Sequence, residues 1–484
     1  MRWRSEVREH GFVAGTRRWW NLLSADLAGL LARIALHPVP PGERRNWLYV
    51  FGSATMVAFL MQVVTGIALA TIYVPSAATA YDSLQFISHT AVMGNLLRGM
   101  HYWGASLMIL LVGFHAIRVY MTAAYKYPRM LTWAVGIFLL IFTMMMGFTG
   151  QTLRWDADGV YSTIIASEQL GRYPGVGRWI VTFILGGPNV SGNTLARFFM
   201  AHVFVFPALL IVFLTFHLFL VVRHGISEWP SPGRTVDPRT YRAWYEALLR
   251  EHGQPFWPDA AWRDVVIGFL VVMLIIGLAA TIGPIELGKP PSLANINVAP
   301  RPSWYFTWYF AFLAMIPYGS ERYVMTAAPL VFVFLLLVLP FLFSRGERTP
   351  LRRPWSFALV VMCVATIVYY WRMGVVAPWA PRFNAIPVPA SVVGVTTGPV
   401  AAGAGLFYTK GCEFCHRVAG YGGIRGPDLT CVADRLSAAR MVEILYTGIK
   451  PNMPSFARTL EGNETSDLLA FLQSRKCGQP PQRK

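Results

Sequence analysis

Charge is what this 484-residue chain has least of. Charged residues make up 14% of it, where about 25% is ordinary for a soluble protein. With 55% hydrophobic residues and a mean hydropathy of +0.44, too little polar surface remains to cover three soluble domains of ordinary size. A water-soluble enzyme is excluded. Acidic residues are scarcer still, 24 against 42 Lys and Arg, which leaves a formal charge of +18 and admits either a nucleic acid or a membrane as partner of the basic excess. Cysteine is also rare: there are five, four of them beyond residue 411. No disulfide framework can therefore hold the bulk of the chain.

Long apolar runs are what the chain has instead. Seven stretches, at 48–74, 99–121, 131–153, 198–222, 265–284, 324–343 and 355–373, suffice for a helix across a hydrocarbon core about 30 Å thick. Trp304 to Pro317 is apolar but too short to span, which suits an interfacial or re-entrant piece. Sorted by alternate loops, Lys and Arg divide 21 against 8, and the richer side includes the N-terminus. The positive-inside rule then places the N-terminus in the cytoplasm and, after seven crossings, the C-terminus outside. The basic excess reads as a topology signal, so no nucleic-acid partner is expected. Residues 1–47 lack an uninterrupted apolar core or small-residue cleavage site, so no signal peptide is expected. Trp19, Trp20, Leu22, Leu23, Leu27, Leu30 and Leu31 suit an amphipathic helix on the cytoplasmic surface. Residues 375–400, rich in Pro, Gly, Val and Ala, read as a linker to a small terminal domain at 401–484.

That terminal domain carries Cys412-Glu413-Phe414-Cys415-His416. C-x-x-C-H is the attachment pattern of a c-type haem, with two thioethers on Cys412 and Cys415 and His416 as an axial iron ligand. The expected sixth ligand is Met453, in the Pro-rich turn Pro451-Asn452-Met453-Pro454; Met441 lies in an amphipathic pattern and is expected in the core. Cys431 and Cys477 either pair in an oxidising compartment or remain buried thiols. Cys363, within the seventh apolar run, is read as packing.

Four histidines fall inside apolar runs, where ionisable groups are uncommon and usually functional. His101 and His115 are 14 residues apart, and His202 and His217 are 15 apart. At about 1.5 Å and 100° per residue, each pair spans roughly 21–22 Å on roughly one helix face. Two antiparallel helices of this kind can ligate two stacked b-type haems, with His101 and His202 at the outer one and His115 and His217 at the inner one. Glycines repeat the interval: Gly52 and Gly66, and Gly136 and Gly150, are again 14 apart. Missing side chains there would let a flat ring approach the helix backbone, although small-residue helix packing is the simpler use of any one pair.

These strings resemble a known family. Arg98-Gly99-Met100-His101, His115-Ala116-Ile117-Arg118-Val119-Tyr120, Thr149-Gly150-Gln151-Thr152-Leu153-Arg154-Trp155-Asp156 and Arg197-Phe198-Phe199-Met200-Ala201-His202 resemble chloroplast-type cytochrome b. Apolar runs five to seven resemble its companion subunit IV, and residues 401–477, with Gly426-Pro427-Asp428-Leu429 and a final helix at 464–473, resemble a class I cytochrome c. The resemblance implies an all-α chain: a cytoplasmic segment at 1–47, a dihaem module at 48–230, a three-helix module at 231–374, the linker, and an extracytoplasmic cytochrome c domain. It implies a subunit of a quinol:cytochrome c oxidoreductase in a bacterial cytoplasmic membrane, working in a homodimeric, proton-translocating complex. A similar fusion of subunit IV to cytochrome c occurs in some Gram-positive menaquinol-oxidising complexes. Expected cofactors are two haems b, one covalent haem c and quinone. Expected partners are a separate Rieske iron-sulfur protein, since no pattern of two Cys-His pairs occurs in this chain, and a c-type cytochrome acceptor. The competing reading is a dihaem electron conduit between quinone and a partner redox protein, without bifurcation.

The resemblance also implies site residues, and it fails at informative places. Arg98 and Arg118 stand where the family pairs Arg with haem propionates, and Arg223 and Asp264 border the inner quinone site. Pro302-Ser303-Trp304-Tyr305 matches the quinol-site Pro-Glu-Trp-Tyr motif except at its acid. Ser303 can hydrogen-bond but cannot act as a carboxylate base; Glu286, Asp156 and Glu168 are the substitutes considered. Val50 occupies the position of a Cys that tethers an extra haem in the chloroplast-type protein, so no covalent third membrane haem is expected. Arg154 replaces a Pro beside the quinol pocket.

Overall fold

The computed structural model describes Gly29 and residues 35–41, 44–187, 190–291, 301–316, 318–376, 387–422, 426–449 and 453–477. Most of the N-terminal segment, residues 292–300, part of the linker, Pro451-Asn452 and the side chain of Glu168 lie outside them. The all-α expectation is borne out. Strand pairing among the described residues amounts to three two-residue antiparallel pairs and two isolated bridges.

The helices are α1 (Phe51–Ala70), α2 (Ala80–His89), α3 (Gly94–Met121), α4 (Met130–Thr152), α5 (Ala157–Gly171), α6 (Gly177–Leu185), α7 (Gly192–His224), α8 (Tyr241–His252), α9 (Ala261–Thr281), α10 (Trp304–Met315), α11 (Tyr318–Leu342) and α12 (Pro354–Val376). Seven of them, α1, α3, α4, α7, α9, α11 and α12, are long and apolar enough to cross a membrane, at the places where the sequence predicts spans. The chain is a multi-pass membrane protein. Phe269, Leu270, Phe332 and Phe357 are exposed because lipid, which is itself apolar, is the solvent for these faces.

Helix α3 packs along α1, α7 along α4, and α9 across α1 and α3. Ala54, Ala58, Met108, Leu111, Leu210 and Ile275 meet in the core between them. Helix α10, the short apolar piece, does not span; it packs on α12 and buries Tyr305, Phe310 and Leu313.

Helix α7 explains the uneven histidine spacing. Ser191 and Thr194 close a capping box at its start, and residues Ala201–Val205 form one π turn, followed by Pro207. Proline has no N–H to continue the ladder, and an i→i+5 turn holds one residue more than an α turn. The extra residue makes the 15-residue interval behave as 14. It turns His202 toward the helix face of His217, closer to the relation between His101 and His115.

Among the described residues of the C-terminal domain the longer helices are α13 (Pro399–Thr409), α14 (Ala438–Thr447) and α15 (Glu464–Gln473). Helices α13 and α15 cross where Gly403 faces the Asp467 carbonyl; a Cβ there would lie 2.0 Å from that oxygen. The close approach lets Phe407 and Phe471 meet with ring centroids 5.5 Å apart.

Candidate functional site

The four intramembrane histidines converge in the pairs that the antiparallel order predicts. His101 and His202 have ring centroids 6.2 Å apart, and His115 and His217 have centroids 6.5 Å apart. With metal–nitrogen bonds of about 2.0–2.1 Å, two imidazoles ligating opposite sides of one metal ion stand roughly 6.4 Å apart, centroid to centroid. Each pair therefore fits a single six-coordinate iron.

The four glycines form the cradle. A Cβ on Gly66 would lie 3.2 Å from His101 Cε1, on Gly52 3.2 Å from His115 Cε1, on Gly136 3.5 Å from His217 Cε1, and on Gly150 2.8 Å from His202 Cε1. Each glycine thus receives the imidazole of a neighbouring helix, whereas the sequence spacing predicts approach of the porphyrin itself.

Two threonines missed in the sequence reading set the outer pair. Thr65 Oγ1 donates to the Met61 carbonyl at 2.6 Å and stands 3.0 Å from His101 Nδ1; Thr149 Oγ1 donates to the Met145 carbonyl at 2.8 Å and stands 3.0 Å from His202 Nδ1. A hydroxyl that has spent its proton on a carbonyl can only accept, so each imidazole carries its proton on Nδ1. The Nε2 lone pair is left for a metal. The signal was available: a Thr-Gly dipeptide occurs at both 65–66 and 149–150.

A cavity of about 440 Å³ extends from the inner pair, lined by Gly52, Ser53, His115, Arg118, His217 and Asp264 among others. The Arg118 guanidinium lies 3.4 Å over the Tyr49 ring, and its Nε and Nη2 are buried without a protein partner. A buried guanidinium with two unpartnered nitrogens beside an imidazole pair suits an anionic group such as a propionate. Arg98 differs, for it donates to Ser88 Oγ at 2.8 Å and to the Ile285 carbonyl at 2.6 Å. Asp264 accepts from Ser53 Oγ at 2.6 Å inside the inner cavity. Arg223 is exposed and outside the cavity lining, which Arg263 joins instead. Val50, also on the lining, is buried.

At the other end, Ser303 N–H donates to Gln151 Oε1 at 2.8 Å, Trp304 Nε1 to Ser106 Oγ at 3.2 Å, and Tyr305 OH to the Gly147 carbonyl at 3.4 Å. The structure thereby joins the start of α10 to the end of α4, which carries His202's threonine. Arg154 pairs with Asp156 and reaches the Glu286 carbonyl. Asp156 is fully buried and caps α5 through the Gly159 N–H at 2.9 Å, while its second oxygen accepts the Gly288 N–H at 2.9 Å. It is a staple of this loop, as is Arg154. The Glu286 side chain is exposed.

In the C-terminal domain, Cys412 is buried and Cys415 half-buried, and neither takes part in a disulfide. His416 Nδ1 stands 2.9 Å from the Pro427 carbonyl, and a Cβ on Gly426 would lie 2.5 Å from that nitrogen, so the imidazole rests on a glycine here too. Met453 packs against the core that contains Met441. Cys431 and Cys477 form a disulfide. Glu413, to which the sequence assigns no role, is fully buried and accepts the Val388 N–H at 3.1 Å. Burial pushes its carboxyl up to about 7, against the opposing effect of that N–H.

Comparison with known proteins agrees with this geometry. The family model described as Cytochrome b/b6/petB matches residues 38–225. Cytochrome b6 of Gloeobacter violaceus is 40% identical over 208 residues, 43% of this chain and 96% of that protein. The chain belongs to the cytochrome b/b6 family. Cytochrome b6 of Heliomicrobium gestii is 37% identical over 195 residues, 40% of this chain and 91% of that protein. A second family model, Cytochrome C oxidase, cbb3-type, subunit III, matches residues 398–472. The chain is thus a fusion of cytochrome b with a cytochrome c domain, and its prosthetic groups are haem b and haem c. A solved structure titled "Hyperthermophilic respiratory Complex III" shares the fold, with a TM-score of 0.61 at 24% identity, covering 75% of this chain and 91% of that one. The likeness of fold therefore continues well past the part that cytochrome b6 matches.

Proposed function

We propose that this cytochrome b/c fusion is the electron-transfer subunit of a quinol:cytochrome c oxidoreductase. The two imidazole pairs at metal-spanning distance carry the reading. His101 with His202 holds the outer haem b and His115 with His217 the inner one; Gly52, Gly66, Gly136 and Gly150 give the imidazoles room. Arg118 neutralises a propionate of the inner haem. Cys412 and Cys415 would hold haem c through thioethers, and His416 and Met453 would supply nitrogen and sulfur to its iron. When bound, the haems supply one-electron chemistry.

The remaining groups position quinone. Trp304, Tyr305, Ser303 and Gln151 frame quinol oxidation at the outer end of α4, and Ser53 with Asp264 receives quinone in the inner cavity. One electron leaves for a separate Rieske iron-sulfur protein and then the c domain and a c-type acceptor; the other crosses to the inner quinone, coupled to proton translocation. The domain division at 48–230, 231–374 and 401–484 follows these roles. The Lys and Arg distribution supports a cytoplasmic N-terminus and a periplasmic C-terminal domain in a bacterial inner membrane, and the family resemblance supports a homodimeric complex.

Purification of the complex tests this reading. An iron-sulfur protein should accompany the chain, and haemochrome spectra should give two b haems for each c haem. An active complex reproducibly free of an iron-sulfur protein would favour the non-bifurcating conduit instead, and a one-to-one ratio would sink the paired-ligand assignment.

A further inference from the structure

Ser303 leaves the outer site without the acid expected there, and a hydroxyl does not take up a quinol proton at working pH. Three neighbouring carboxylates differ sharply in what they have to offer. Asp156 is 0% exposed with both oxygens committed, to Gly159 N–H on one side and to Gly288 N–H and Arg154 on the other. Glu286 points into solvent. Asp158 has one oxygen on the Arg301 N–H at 2.9 Å, two residues before Ser303, while the other stands 3.9 Å from Arg154 Nη2, outside hydrogen-bond range. Its side chain is 31% exposed, so it reaches both the Ser303 segment and outside water.

A second observation points to a ligand at the same segment. Gln151 is 4% exposed; its Oε1 is held by Ser303 N–H, while its Nε2 is buried without a partner. A buried donor beside Ser303 that lacks an acceptor is what a quinol oxygen would satisfy.

We infer that Asp158 is the proton acceptor for quinol oxidation at the outer site, with the Gln151 amide holding the quinol oxygen. The inference rests on the quinol site proposed above and adds the route by which a proton leaves. As quinol becomes quinone, its two electrons pass to the iron-sulfur protein and to the outer haem, and two hydroxyl protons are released. One of these protonates the Asp158 carboxylate, which returns it to water on the outer side, and the other leaves with the electron that the separate iron-sulfur protein takes up. Burial raises the pKa of Asp158 above the ordinary carboxylate range, and the charge of Asp156 adds to this; the Arg301 N–H and the charges of Arg154 and Arg301 oppose it. A stronger base than an ordinary aspartate results, nearer the working pH. The charged groups around it are Asp156 and Arg154 from its own loop and Arg301 from the segment before α10.

The test is steady-state quinol oxidation by the intact complex across pH, in wild type, Asp158→Asn, and Asp158→Asn combined with Ser303→Glu. Asparagine keeps an acceptor oxygen for the Arg301 N–H, so the loop keeps its tether. Asp158→Asn should lower kcat by about a hundredfold, within the usual contribution of a positioned base, with KM little changed and the acid limb of the pH profile lost. Adding Ser303→Glu should recover about tenfold by restoring a carboxylate. Wild-type kcat and pH profile in Asp158→Asn, or no recovery on adding Ser303→Glu, would overturn the assignment while leaving the oxidoreductase reading intact. Failure of the unmodified complex to oxidise any quinol would overturn both.

Discussion

Replacing the four cradle glycines by alanine, one at a time, separates a haem cradle from simple helix packing. The added methyl is chemically the same at each site, but its clearance is not: 2.8 Å to His202 Cε1 from Gly150, 3.2 Å to His101 and His115 from Gly66 and Gly52, and 3.5 Å to His217 from Gly136. Optimal carbon–carbon separations are about 3.5–4.0 Å, so the imidazole of His202 must retreat by roughly 0.7 Å while that of His217 need not move. A metal–nitrogen bond of about 2 Å cannot stretch by that amount. Overpacking of this size costs about 1–3 kcal/mol, or roughly five- to 150-fold in haem retention. Gly150→Ala should therefore lose the outer haem, moving the haemochrome ratio from two b per c toward one. Gly136→Ala should keep both b haems, and Gly52→Ala and Gly66→Ala should fall between. Equal haem content in Gly150→Ala and Gly136→Ala would refute the reasoning, since helix packing offers no cause for the predicted order.

Thr149→Val removes the acceptor for His202 Nδ1–H without changing shape; the ligand becomes less electron-donating, so the midpoint potential of the outer haem should rise in a redox titration. An unchanged potential would refute the tautomer argument. Arg118→Gln should weaken retention of the inner haem by about 1.5–3 kcal/mol, the worth of a charge-assisted hydrogen bond, and a spectrum with the inner haem at full occupancy and wild-type potential would count against it. Glu413 titrates near 7 when folded and near the ordinary 4.5 when unfolded, so the folded domain binds the extra proton between those values. Stability of the c domain should fall as pH rises from about 4.5 to about 7, by at most about 3 kcal/mol. Glu413→Gln keeps an acceptor for Val388 N–H and should abolish that slope in unfolding followed by haem absorbance; parallel curves would show that the carboxyl is not the cause.

The seven spans, the histidine intervals and the C-x-x-C-H string were legible because each is periodic or contiguous along the chain. Apolar length and helical repeat are local properties, and lipid leaves a backbone little choice but helix. The pairing of His101 with His202 and His115 with His217 followed from antiparallel order alone. The unequal intervals needed the structure, because a π turn ahead of Pro207 is a matter of hydrogen bonding that spacing does not express.

Polar contacts between helices were another matter. Thr65 and Thr149 stand among many threonines in apolar runs, and only packing shows which of them face an imidazole. The same holds for the outer loop, where sequence reading weighed Asp156 and passed over Asp158. Two aspartates two residues apart have the same chemistry until the fold saturates one with Gly159, Gly288 and Arg154 and leaves the other an open oxygen. Sequence alone determined that this scarcely charged chain forms seven helices long and apolar enough to cross a membrane and that it carries histidine pairs at two depths and a C-x-x-C-H string in a terminal domain. Tertiary structure decided which neighbours orient those ligands and which carboxylate is open, because hydrogen-bond partners from distant segments meet only when the helices pack.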